Sequence, residues 1–156
     1  MKIGMRRLHL FILLFATCSL LFQLPSEAFA ADGDVSSTVA IASDTTNGPS
    51  LASGDIFGTS IANIGDLNGD GVNDLAVGAH QNDETSSNSG AVHIMFMNTD
   101  GSVDSTVEIN DSTTNGPTLA NSDQFGWSVA NIGDLDGDGV NDLAVGATYD
   151  LSLIHI

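Results

Sequence analysis

Positive charge is nearly missing from this sequence. Of 156 residues only three are Lys or Arg, against 20 Asp or Glu. All three, Lys2, Arg6 and Arg7, fall within the first seven positions. A chain this acidic repels nucleic acid and anionic lipid, which removes both as partners. Cysteine occurs once, at Cys18, so no disulfide can form within the chain. Past Leu24 no apolar run approaches the length of a membrane span, and the short, glycine-interrupted apolar runs argue against helices.

What is present begins with a leader. The basic start is followed by an apolar stretch from Leu8 to Leu24, by Pro25, and by Ala28-Phe29-Ala30, a small-x-small cleavage pattern. This order predicts a signal peptide over 1–30, cut after Ala30. His9 interrupts the apolar stretch that twin-arginine export would need, and Phe15-Ala16-Thr17 before Cys18 suits lipidation poorly. The expected destination is secreted or cell surface, with no membrane insertion after cleavage. Cleavage also removes every Lys and Arg, the cysteine and Glu27, leaving 20 − 1 = 19 acidic residues and no basic side chain but histidine.

The rest is a repeat. Shifting the sequence by 68 residues lays Phe57–Ala79 over Phe125–Ala147, with only three of 23 positions different: Thr59/Trp127, Ile61/Val129 and Asn68/Asp136. Upstream, Thr45–Pro49 matches Thr113–Pro117, and Thr38–Ile41 lies over Thr106–Ile109. Within one unit, Phe57–Ile64, Leu75–Ala79, Ala91–Met97 and Thr106–Ile109 read as short strands between Gly, Asp and Asn turns. The fold class is therefore all-β, and four strands per unit suit one blade of a β-propeller.

Between the first two strands of each unit lies an aspartate loop. The first runs Asp66-Leu67-Asn68-Gly69-Asp70-Gly71-Val72-Asn73-Asp74, the second Asp134-Leu135-Asp136-Gly137-Asp138-Gly139-Val140-Asn141-Asp142. Oxygen side chains stand at loop positions 1, 3, 5 and 9, with glycine at 6, which suits the six to eight hard oxygen ligands that Ca2+ takes. The expected metal ligands are Asp66, Asn68, Asp70, the Val72 carbonyl and Asp74, and then Asp134, Asp136, Asp138, the Val140 carbonyl and Asp142. An EF-hand is excluded, because Val77 and Val145 occupy the twelfth position where a bidentate glutamate belongs, and the flanks are strands. Zinc lacks cysteine or clustered histidine, and a many-oxygen cage favours calcium over magnesium. The competing reading is that Asp, Asn and Gly only form solvated turns; two copies at identical spacing argue against it.

With these loops in place, Phe57-Gly58 followed by Gly78-Ala79, and Phe125-Gly126 followed by Gly146-Ala147, resemble the FG-GAP repeats of integrin α-subunit propellers. His80 and Thr148 stand where that motif ends in proline. The resemblance covers about Thr38 to Asp150 and implies a calcium-braced propeller, commonly of seven blades. It implies an adhesion or ligand-binding module whose partner, besides calcium, is an unknown protein or carbohydrate. Similar repeats also occur in bacterial surface proteins and beside secreted hydrolases, so an accessory propeller of a larger enzyme and a structural envelope repeat are the alternatives. The expected organisation is a signal peptide (1–30), an N-terminal outer strand and loop (31–56), a first repeat (57–124), a truncated second repeat (125–150) and a sequencing-adapter or cloning scar (151–156). Together these would make an incomplete ring of about one and a half to two blades.

No catalytic constellation accompanies the repeats. Ser60 and Ser128 have no base at hand, His80 and His93 are not spaced as a pair, and the loop carboxylates are committed to metal. The fragment reads as non-enzymatic. Phe57 and Phe125 are expected in blade packing, and Trp127 is the freer aromatic.

Overall fold

Seven strands and no helix make up the described part of the chain, which comprises residues 37–150 and the backbone of 152–155 in a computed structural model. The leader expected over 1–30 lies outside the described residues, as do 31–36. β1 (Phe57–Gly65), β2 (Asp74–Ala79), β3 (Ala91–Met97) and β4 (Val103–Ile109) form one antiparallel sheet in chain order. β5 (Phe125–Gly133), β6 (Asp142–Ala147) and β7 (Ser152–His155) form a second, again antiparallel and in order. β5 and β6 begin and end 68 residues after β1 and β2, so the sequence repeat is a structural one. Even the irregularity recurs: the register slips between Phe57 and Ser60 and again between Phe125 and Ser128. Gly58 (φ 90°) and Gly126 (φ 86°) supply the left-handed residue that such a bulge favours. The all-β, blade-type architecture expected from sequence is what the chain adopts.

Blade packing explains the composition of the strands. β3 lies between β2 and β4 and is buried along almost its whole length, which is why Ala91–Met97 reads as an unbroken apolar run rather than an alternation. Its alternate residues serve two cores. Val92 and Ile94 join Ala62, Ile64 and Ala76 against Phe125, Leu143, Val145 and Ala147 of the second sheet. Met95 and Met97 face the other way, with Val77 and Val103, and with Phe57 and Ile41 against them. The two motif phenylalanines thus pack as core residues, Phe125 completely so.

The motif glycines set how closely the blades approach. A Cβ on Gly78 would stand 1.9 Å from the Gly126 carbonyl oxygen, and one on Gly90 2.1 Å from that of Phe125. The Gly-Ala of one repeat and the Phe-Gly of the next therefore meet backbone to backbone. Around this contact Ser60 Oγ donates to the Gly126 carbonyl (2.8 Å), and Asn131 Nδ2 donates to the Asn63 carbonyl (3.0 Å).

Two edges need separate comment. Thr38–Ile41, expected as an outer strand, carries no strand pairing; its counterpart Thr106–Ile109 is held in β4 by β3. From this segment Ile41 packs on the Met95–Met97 core, and Val39 lies beside Gly101. At the other end, β7 pairs from Ala147↔Ser152 to Ala144↔His155, taking the place beside β6 that β3 has beside β2. An open strand edge accepts the backbone of any extended segment, so this pairing is neutral as to the origin of residues 151–156.

Candidate metal centres

Each aspartate loop spans the turn between the first and second strands of its blade, β1–β2 and β5–β6. The curl starts from the first aspartate. Asp66 Oδ1 accepts the backbone N–H groups of Gly69 (2.7 Å) and Asp70 (3.0 Å), and Oδ2 accepts that of Gly71 (2.8 Å). Asp134 does the same with Gly137, Asp138 and Gly139 at 2.7, 3.1 and 2.9 Å. The third and fifth positions add bonds of the same kind: Asn68 or Asp136 accepts from the fifth-position amide, and Asp70 or Asp138 from Val72 or Val140. Gly71 and Gly139, at φ 90° and 93°, supply the turn that the sixth position requires. Gly69 and Gly137, at φ 80° and 81°, are equally left-handed, a requirement the ligand spacing does not reveal.

The ninth position behaves differently from the rest. Asp74 is wholly buried, with Oδ2 accepting the Leu67 N–H (2.8 Å) and Oδ1 the Met97 N–H (3.0 Å). It ties the loop start and the end of β3 to one carboxylate. Asp142 accepts the Leu135 N–H (2.7 Å) but is only half-buried. Asp74→Asn replaces one acceptor oxygen by an NH2 that faces a buried N–H. The expected cost is about 2 kcal/mol, read as a lower urea midpoint in chelator. Asp142→Asn should cost less, and equal losses would contradict this assignment.

The loops also differ in charge. In the first, Asn68 Nδ2 donates to Asp70 Oδ2 (2.9 Å), so the amide already partners one carboxylate. In the second, Asp136 replaces that amide, and Asp134, Asp136 and Asp138 bring carboxylate oxygens within 4.8 Å of one another on an exposed turn. Residues 37–150 contain no Lys or Arg to neutralise them. Three all-oxygen donors converging without an internal counter-charge fit a hard divalent cation. Of the expected ligands, the first, third and fifth positions of the second loop are thus brought together, and the ninth stands apart from that trio.

The loops also meet across the blade boundary. Asn141 Nδ2, at loop position 8, donates to the Ile64 carbonyl (2.9 Å), just ahead of the first loop. A cleft of about 290 Å3 lies there, lined by Asp66, Leu67, Asn68, Gly139, Val140 and Asn141. Sequence reasoning missed Asn141, because it sits at a non-ligand position and its partner is a main-chain carbonyl 77 residues away. Trp127 is nearly half exposed and sets its ring edge-on to His80, centroids 4.5 Å apart. Thr59 hydroxyl is 2.9 Å from His80 Nδ1, and burial holds that imidazole below its ordinary pKa. These groups form one packed contact between the blades.

Comparison with known proteins agrees with this geometry. The FG-GAP repeat family matches residues 57–95 and 125–152, the two stretches that carry the motif glycines and the aspartate loops. Integrin alpha-PS5 of Drosophila melanogaster is 39% identical over 97 residues, 62% of this chain and 9% of its own length. Integrin alpha-3 of Mus musculus gives the same figures. Integrin alpha-6 of Homo sapiens is 36% identical over 104 residues, 67% of this chain and 8% of its own. The chain thus spans less than a tenth of the length of these curated relatives. It carries two stretches that match the FG-GAP repeat and is similar over about two thirds of its length to part of the integrin α-subunits.

Proposed function

We propose that this chain is an extracellular β-propeller module for adhesion or ligand binding, in which calcium at the two aspartate loops has a structural role. The observation that carries the reading is the Asp134–Asp136–Asp138 trio, three carboxylates converging on one exposed turn in a region without Lys or Arg. Asp66, Asn68, Asp70 and Asp74, with the Val72 carbonyl, would hold the ion in the first loop. Asp134, Asp136, Asp138 and Asp142, with the Val140 carbonyl, would hold it in the second. Bound there, the ion closes the turn between the inner two strands of a blade and, in the second loop, fixes the segment whose Asn141 reaches the neighbouring blade.

The relatives named above are integrin α-subunits, and the predicted leader over 1–30 suits a secreted or cell-surface chain. Calcium also suits that setting, since weak loops of this kind are filled only where the ion is abundant. The partner is a protein or carbohydrate, and the acidic surface disfavours nucleic acid.

Calorimetric titration with calcium tests the metal assignment. Two sites are expected, both within about 10⁻⁴–10⁻³ M, the second tighter because it has one more carboxylate and no amide already bonded to its fifth-position aspartate. Asp134→Ala should remove the tighter site and leave the weaker. Two equal sites, a tighter first loop, or no calcium-dependent heat would overturn the assignment.

A further inference from the structure

Near the aspartate loops, two asparagines of the second blade reach the backbone of the first. Asn131 of β5 accepts the Gly133 N–H on Oδ1 (2.9 Å) and donates through Nδ2 to the Asn63 carbonyl (3.0 Å). Asn141, eighth in the second loop, donates through Nδ2 to the Ile64 carbonyl (2.9 Å). Asn73, eighth in the first loop, is exposed and makes no such crossing among the described residues.

The carbonyl that Asn141 holds lies at the neck of the first loop. Ile64 precedes Gly65, which pairs across the hairpin with Asp74 and is followed directly by Asp66. The neck therefore carries the first and ninth positions of the loop, its two outermost expected ligands. The approach is close, since a Cβ on Gly65 would stand 2.9 Å from Asn141 Nδ2. On its own side Asn141 stands between Val140 and Asp142, positions seven and nine of the second loop. Beside the bond, the cleft of about 290 Å3 separates Asp66 and Asn68 from Gly139 and Val140.

We propose that Asn141 couples the two metal sites, so that filling the second loop makes the first bind calcium more tightly. The coupling rests on the calcium reading given above. An ion held by the Val140 carbonyl and the Asp142 carboxylate would fix the backbone on both sides of Asn141, and with it the direction of the Asn141 amide. A fixed amide holds the Ile64 carbonyl, and so steadies the neck that spaces Asp66 from Asp74. Ordering already done for the second loop need not be repeated for the first, which gives positive cooperativity without a large displacement. The effect is reciprocal, because a coupling free energy belongs to the pair of sites. One hydrogen bond at an exposed junction supports a factor of about three. Salt at about 0.1 M damps the opposing repulsion between two bound cations.

Calcium titration of the full chain, followed by amide resonances at about 0.1 M salt, reads the loops separately. Gly69 and Gly71 report the first loop, Gly137 and Gly139 the second. Asp134→Ala, which empties the second loop, should weaken first-loop binding about threefold. Asn141→Ala removes no expected ligand and should weaken it equally. Adding Asp134→Ala to Asn141→Ala should then change it no further, whereas in an Asn73→Ala background the Asp134→Ala effect should persist. A first-loop midpoint that is the same with and without Asp134→Ala would overturn the coupling and leave the calcium reading intact. A threefold effect that survives Asn141→Ala would remove Asn141 as its carrier. Calcium-dependent shifts in neither loop would overturn the calcium reading and the coupling with it.

Discussion

Gly78→Ala should destabilise the chain by about 3 kcal/mol or more in a urea titration, while Gly146→Ala, the same substitution one repeat later, should cost less than about 1 kcal/mol. Both glycines stand at the same strand position, opposite Ser60 and Ser128, and neither has a left-handed φ, so an alanine backbone suits both. Each new methyl meets a serine Oγ at 2.4 Å, which a rotamer change relieves. The clash with serine is common to both variants, although turning Ser60 also gives up its bond to the Gly126 carbonyl. What is not shared is the Gly126 carbonyl, 1.9 Å from the new methyl at position 78, with its carbon at 2.9 Å. That obstacle is backbone held in β5, so relief requires the blades to separate. Separation exposes the core of Ala62, Ile64 and Val92 against Phe125 and Val145, and strains the Ser60 to Gly126 hydrogen bond. Equal losses at the two positions would mean that blade contact does not limit the size of this residue.

That comparison also marks what the sequence made legible. The 68-residue shift found both blades, because a motif used twice must repeat its turn chemistry along with its strands. It placed Phe125 in the core and the aspartates in one curled loop, since alternate oxygens and a sixth-position glycine have few other uses. It could not show that Asp74 would be sealed beneath Met97 while Asp142 stays half-buried, although the two loops are almost identical in sequence. Asn131 falls within an expected strand and Asn141 at a non-ligand loop position, and neither reveals its partner, because the Asn63 and Ile64 carbonyls are backbone.

Calcium at about 10 mM should stabilise the chain by about 4 kcal/mol over chelator, and Asp136→Asn should remove about 1 kcal/mol of that gain. An ion that binds only the folded state contributes RT ln(1 + [L]/Kd). This is about 2.7 kcal/mol at a hundredfold excess over Kd and about 1.4 kcal/mol at a tenfold excess, the values for sites near 10⁻⁴ and 10⁻³ M. Asp136→Asn makes the second loop match the first in its ligand residues, so its larger share should fall to the smaller. The substitution isolates charge from turn geometry. Asn68 already shows that an amide oxygen at this position accepts the fifth-position N–H, at 3.0 Å against 3.1 Å for Asp136. In chelator the same variant should be no less stable than the unmodified chain, because it removes one of three mutually repelling carboxylates from an exposed turn. The effect of Asp136→Asn thus depends on the ion: it is harmful with calcium and neutral or favourable without. An equal loss in both conditions would show that the third carboxylate serves the turn itself, and the charge difference between the loops would then have no bearing on metal.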